Sequence, residues 1–214
     1  MANVKQSVAR RMSMAERAEQ QMELHFPDVP EVLVWHRKTN DGFTTIPRTL
    51  PIAMQVIDGQ TKGQPAGHTL FCLWARMPDH SLVSIENPAT FAGEAGFSGA
   101  RAVDTWRRRM KELQRLGFLK AKSGTSGDFH YVLLLNPNIA IQKMRDGKLV
   151  QDQVYVRFLE RLADIGAMSE LAALKAYEDE QLKTSKAQER ALKKAASGDS
   201  SDAKSRKKPS SKDS

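Results

Sequence analysis

Residues 87–122 read NPATFAGEAGFSGARAVDTWRRRMKELQRLGFLKAK. Asn87 before Pro88 opens a helix, because asparagine accepts from the first orphan amides and proline at the first helical position forfeits no hydrogen bond. Gly96 ends that helix, and Ser98 is placed to cap the next, ARAVDTWRRRMKELQRL, which stops at Gly117. At about 100° per residue, Val103, Trp106, Met110 and Leu113 share one side, with Ala102 at its edge. Arg101, Asp104, Thr105, Arg108, Lys111, Glu112 and Arg115 fall opposite, and Arg107 and Arg109 flank the boundary. A short helix, a tight turn and a longer helix with a basic outer face are therefore expected.

Beyond Gly117 the period becomes that of strands. FLKAK, SGTSGD and FHYVLLLNP read as strand, turn and strand, with Pro137 as the stop. An isolated two-stranded hairpin is marginal, so Phe118, Phe129 and Tyr131 are expected to lean on the helices. Upstream, HTLFCLWARM is apolar enough for a buried helix in which Cys72 is a core residue.

Outward from this centre the signals thin. Residues 1–24 carry Val4, Val8, Met12, Ala15, Ala18 and Met22 at steps of three or four, a weakly amphipathic helix or arm. Residues 25–50 hold three prolines, with Pro51 just beyond, and an Asn-Asp-Gly turn signal, predicting extended segments with short strands at VLVW and FTTI. Residues 51–137 form the central domain. Residues 138–196 read as a helical extension, in which Val154, Phe158, Leu162 and Ile165 make one stripe before Gly166. Residues 197–214, rich in Ser, Lys and Asp, have no apolar side chain larger than alanine and are expected to be disordered. The fold class expected is mainly α with a small β-hairpin, that is, α+β.

The 214 residues carry 33 basic and 25 acidic side chains, a net charge of +8. Residues 101–122 hold eight basic side chains (Arg101, Arg107, Arg108, Arg109, Lys111, Arg115, Lys120 and Lys122) against Asp104 and Glu112. Most of the excess thus lies in a tenth of the chain, the footprint of a surface that meets phosphates. One cysteine excludes a disulfide framework and points to a reducing compartment. No apolar run is long enough to span a bilayer, and the start lacks the apolar core of a secretory signal.

The turn Ala92-x-x-x-Gly96-x-Ser98 followed by Arg101, Ala102 and Val103, together with WRRRMKELQRLGFLKAK, resembles the winged helix-turn-helix family of DNA-binding domains over residues 68–137. Family members usually carry a branched apolar residue where Ala102 falls; Val103 comes one position late, which implies an altered turn. Within the family the chain is most similar to plasmid and mobile-element replication or regulatory proteins. The resemblance implies a recognition helix in the major groove and a hairpin wing on the backbone or minor groove. Arg101 and Arg108 would then meet guanine edges, with Asp104 and Arg107 beside them. Thr105 would meet a phosphate or a thymine methyl, and the Ser98–Gly99 amides a phosphate. Lys111, Arg115, Lys120 and Lys122 would position the backbone. The expected partner is double-stranded DNA, with a homodimer built on residues 154–174 and contacts to the replication or transcription machinery. The expected location is the cytoplasm, on nucleoid or plasmid.

Catalysis finds no support in the motifs. His25, His36, His68, His80 and His130 lack metal-ligand spacing, and phosphate-loop, His-Glu-x-x-His and nucleophile-elbow signatures are missing from the sequence. No enzyme activity, cofactor or metal is expected. Two other readings keep the same basic helix: a winged-helix module for an acidic protein partner, and an RNA-associated protein.

Overall fold

The computed structural model describes residues 13–78 and 80–202, and the chain divides into two units, Met1–Phe43 and Thr44–Ser214. In the first, α1 (Met14–His25) opens on a reciprocal cap. The Ser13 hydroxyl accepts from the Glu16 amide at 3.2 Å and the Glu16 carboxylate accepts from the Ser13 amide at 2.7 Å. Val4, Val8 and Met12 lie outside the described residues. The strand expected at VLVW is instead a 3-10 turn at Glu31–Leu33, started by Pro30, whose carbonyl accepts from the Leu33 amide at 2.9 Å. Trp35 and Phe43 meet edge to face at 6.1 Å.

The second unit holds seven more helices and a three-stranded antiparallel sheet among the described residues. FTTI forms no strand there either; the Thr44 hydroxyl donates to the Met77 carbonyl at 3.0 Å. α2 (Leu50–Gln60) has Pro51 in its first turn and buries Leu50, Ala53, Val56 and Ile57. α3 (Gly67–Ala75) buries Leu70, Cys72, Leu73 and Trp74, as the apolar run predicts. The two helices cross where Gly67 meets Met54: a Cβ on Gly67 would stand 2.9 Å from the Met54 Cβ and 3.0 Å from its Cα. Asp58 of α2 completes the joint, one carboxylate oxygen accepting from the amides of Ala66 at 2.9 Å and Gly67 at 2.7 Å. It thus satisfies donors at the start of α3 from a neighbouring helix.

β1 (Leu82–Ser84) leads to α4 (Pro88–Glu94), capped by Asn87 as read from the sequence. α5 (Ala102–Arg115) follows. Its start corrects the expectation of a Ser98 cap. Gly99 adopts a left-handed φ of 79°, the chain turns once more, and Ala102 begins the helix with its amide on the Gly99 carbonyl at 3.1 Å. Arg101 takes the cap position and makes no capping hydrogen bond with its side chain. The open amides of the first turn are therefore those of Val103 and Asp104, beyond Ser98 and Gly99.

β2 (Leu119–Gly124) and β3 (Gly127–Leu134) form the expected hairpin, but the strands run into the Ser/Gly stretch and leave only Thr125 and Ser126 as the turn. The sheet order is β1-β3-β2, so β3 is central and β1 is a strand that the sequence did not announce. Pro137 does not merely stop a strand: it opens α6 (Pro137–Asp146), capped by Asn136. α7 (Asp152–Asp164) and α8 (Met168–Asp202) complete the order. α8 continues into the stretch expected to be disordered; the remainder of that stretch, 203–214, lies outside the described residues.

Trp106, Phe118 and Phe158 are among the largest fully buried side chains. Trp106 packs edge-on to Phe129 at 5.9 Å, which seats α5 against the inner face of the sheet. Phe158 and Leu162 of α7 are wholly buried and Val154 packs against the same core, so the stripe expected to serve a dimer is consumed within the chain. Asn136 and Asn138 both donate to Glu170 of α8, at 2.7 and 3.0 Å, and the buried Thr49 hydroxyl donates to Asn138 at 2.5 Å. No described helix is long and apolar enough to cross a membrane.

Candidate nucleic-acid interface

The faces of α5 follow the sequence. Trp106, Met110 and Leu113 are buried; Arg101, Asp104, Arg108, Lys111 and Arg115 are exposed, and Thr105 and Glu112 half-buried between them. Their charges are not equally available. Arg115 is held by Glu112 through Nε at 2.9 Å and Nη2 at 2.7 Å. Arg107 lies 3.7 Å from the Asp104 carboxylate, and its guanidinium sits beside Gly127, where an added Cβ would be 3.7 Å away. It flanks α5 on the side of the hairpin turn.

Arg109 is half-buried and tied down by contacts within the chain. It donates to the Gln64 side chain at 2.7 Å and lies over the Phe97 ring at 5.7 Å, and its Nε is buried without a partner among the described residues. Burial first, then the neighbouring Arg108 charge, lowers its pKa from the ordinary value. On α5, Arg101, Arg108 and Lys111 remain, none paired with a carboxylate among the described residues. Arg101 and Arg108 lie about two turns apart and Lys111 about one turn further, so they occupy one arc of the helix. Ser98 and Gly99 are exposed in the turn that precedes it.

Lys120 and Lys122 are exposed but are not gathered with this arc. Leu119 and Ala121 turn inward, opposite Leu134 and Val132, so the two lysines stand on the face of the sheet turned away from α5. Alternation from Leu133 corrects Tyr131, carrying it outward, and the register break between Lys122 and Gly124 lets Phe129, two residues earlier, turn inward onto Trp106. Phe118 and Phe129 are buried as expected, whereas Tyr131 is 45% exposed, on the outer face with Leu133. Both parities of β3 carry apolar residues, which hides the alternation from a reader of the sequence.

Beside the turn of the hairpin His130 is buried, its Nδ1 2.9 Å from the Ser126 hydroxyl and 3.1 Å from the Ile85 carbonyl. Its ring closes over Gly124, where a Cβ would fall 2.3 Å from Cδ2. Cys72 is buried beside the Glu94 carbonyl and His68, and burial, then the Glu94 charge, raises its thiol pKa. No group of three or more His, Cys, Asp or Glu residues among the described residues is arranged to hold a metal ion.

The arrangement supplies a convex, cationic helix face with two arginines for planar acceptors and a half-buried hydroxyl between them. Comparison of the chain with family models, with curated proteins and with solved structures finds no match.

Proposed function

We propose that this chain binds double-stranded DNA sequence-specifically through a winged helix-turn-helix, with α4 and α5 as the helix pair, α5 as the recognition helix and β2–β3 as the wing. The observation that carries this is the α5 arc of Arg101, Thr105, Arg108 and Lys111, whose cations have no carboxylate partner among the described residues. An α-helix fits the major groove, and arginine there makes a bidentate contact to guanine that lysine does not reproduce. Arg101 and Arg108 read bases, Thr105 meets a phosphate or thymine methyl, and Lys111 a phosphate. The resemblance to plasmid and mobile-element proteins makes a replication initiator or a transcriptional regulator the roles to test first. A homodimer on a two-fold site would use a surface other than the buried stripe of α7.

The test is selection of a duplex site from random fragments, followed by titration of wild type and Arg108→Ala on that site and on random duplex. Arg108→Ala weakens the selected site by about 1–3 kcal/mol and random duplex much less. With three available cations on α5, the slope of log affinity against log salt is about −2.7; recruitment of Lys120 and Lys122 makes it about −4.5. Equal losses on both duplexes would refute base reading by α5.

A further inference from the structure

The outer face of the sheet is built in two cross-strand rows. Leu82, Leu133 and Lys120 stand abreast in one, and Ser84, Tyr131 and Lys122 in the other. Leu82 is 46% exposed, Leu133 42% and Tyr131 45%, so three large apolar side chains lie open beside two lysines. Neither lysine has a carboxylate partner among the described residues, and none of the six side chains in these rows is acidic. The Tyr131 ring is braced edge-on by His130, with centroids 4.3 Å apart. Past β1 the face runs into an open cleft of about 480 Å³ lined by Leu82, Ser84, Glu86, Asn87 and Arg76, the last paired with Glu94.

Self-association explains this face poorly, since packing two copies of it together would enclose four lysines without a counter-charge. The occupant must be anionic and must offer flat apolar surface. A duplex does not, because its bases are stacked on one another. A single strand does, exposing base faces to an aromatic ring and phosphates to cations. Lys120 and Lys122 repeat at about 6.6 Å along β2, near the phosphate step of an extended strand.

We propose that the outer face of the sheet binds single-stranded nucleic acid, with Tyr131 stacking a base, Leu82 and Leu133 flanking it, and Lys120 and Lys122 on successive phosphates. The site is separate from the α5 arc, on the opposite side of the sheet, and does not depend on how α5 is used.

The experiment is fluorescence anisotropy of the full chain with labelled oligothymidylate and oligouridylate of about 10 nucleotides, within the span that such surfaces cover. Wild type binds, Tyr131→Ala weakens binding about 5- to 150-fold, and Tyr131→Phe retains it. Lys120→Gln and Lys122→Gln each flatten the salt slope by about 0.7. Arg108→Ala leaves oligonucleotide binding unchanged and Tyr131→Ala leaves duplex binding unchanged, which separates this site from that of α5. Tyr131 is half exposed, so its truncation leaves the core intact; circular dichroism of the variant verifies this. Absence of oligonucleotide binding, or binding indifferent to Tyr131→Ala, overturns the proposal. Equal competition by polyglutamate of matched charge overturns it in favour of an acidic protein partner, and a dimer dissociated by Tyr131→Ala assigns the face to a second copy.

Discussion

Replacing Gly124 by alanine is expected to destabilise the protein through one identifiable collision. Gly124 does not occupy the left-handed region, so alanine meets no backbone strain there. Its methyl, however, would stand 2.3 Å from Cδ2, 2.6 Å from Cγ and 2.8 Å from Cβ of His130, against the 3.4 Å at which ordinary contact begins. The imidazole has little room to yield, being 8% exposed and anchored at the Ser126 hydroxyl and Ile85 carbonyl. Overpacking of this kind costs about 1–3 kcal/mol, and forcing the ring off its partners about 1 kcal/mol more. The total of about 2–4 kcal/mol lowers Tm by roughly 5–15 °C for a unit of this size.

Thermal unfolding followed by circular dichroism measures the loss, and a double-mutant cycle assigns it. In a His130→Gly background all three of these close atoms are gone, and alanine at position 124 restricts the unfolded chain more than glycine does. Gly124→Ala then becomes neutral or stabilising by up to about 1 kcal/mol. The sign of one substitution thus depends on the residue across the hairpin. An equal penalty in both backgrounds would refute the packing described beside the turn of the hairpin.

Asp58→Ala strips two amides at the start of α3 of their acceptor, and chemical denaturation should show a loss of about 0.5–2 kcal/mol; an unchanged midpoint would mean that water replaces the carboxylate. Hydrogen bonds from Arg76 hold the Glu94 carboxyl below its usual 4.5, so the bridge contributes fully above that value and is lost as pH falls through the lower, folded one. Wild type should therefore lose stability relative to Glu94→Gln only below the ordinary carboxylate range; parallel curves down to acid unfolding would remove the bridge from the balance. The Cys72 thiol, buried and with its pKa raised, should resist alkylation in the native state at neutral pH and react at once in denaturant; rapid native labelling would show that α3 opens.

Local chemistry made the centre of the chain legible. Asn87-Pro88 opens α4 and Gly117 closes α5 because caps act within a turn of the residues that form them. The inner face of α5 follows from a 3.6-residue period that no tertiary contact needs to explain. Asn136-Pro137 carries the same opening signature as Asn87-Pro88, yet a proline after an apolar strand also reads as a stop, and α6 was missed for that reason. α2 escaped because LPIAMQVIDG is apolar on most sides, which blurs the period. β1 has only three residues and exists through its pairing with β3, a partner roughly fifty positions away. Ser98 has the right chemistry for a cap but the wrong place, since the left-handed Gly99 moves the helix start beyond its reach.

The basic cluster shows where sequence reading of a site stops. As a string, residues 101–122 present eight cations and suggest one surface. Two of their neutralisations were readable, because Asp104 with Arg107 and Glu112 with Arg115 sit three positions apart on a helix. The fate of Arg109 was not, because Gln64 lies 45 residues upstream and only packing brings it to the guanidinium. The placement of Lys120 and Lys122 depends on the parity of a strand whose two faces are both apolar, and parity is settled only when α5 takes the inner face. Folding therefore divides one run of charge into Arg101, Arg108 and Lys111 on a helix, Lys120 and Lys122 across the sheet, and three arginines held by internal contacts. On the two binding proposals made above, the helix arc would take a groove and the flat face beside Tyr131 an unpaired strand. That separation, more than the net charge, is what the two proposed ligands require, since each needs cations that the other does not use.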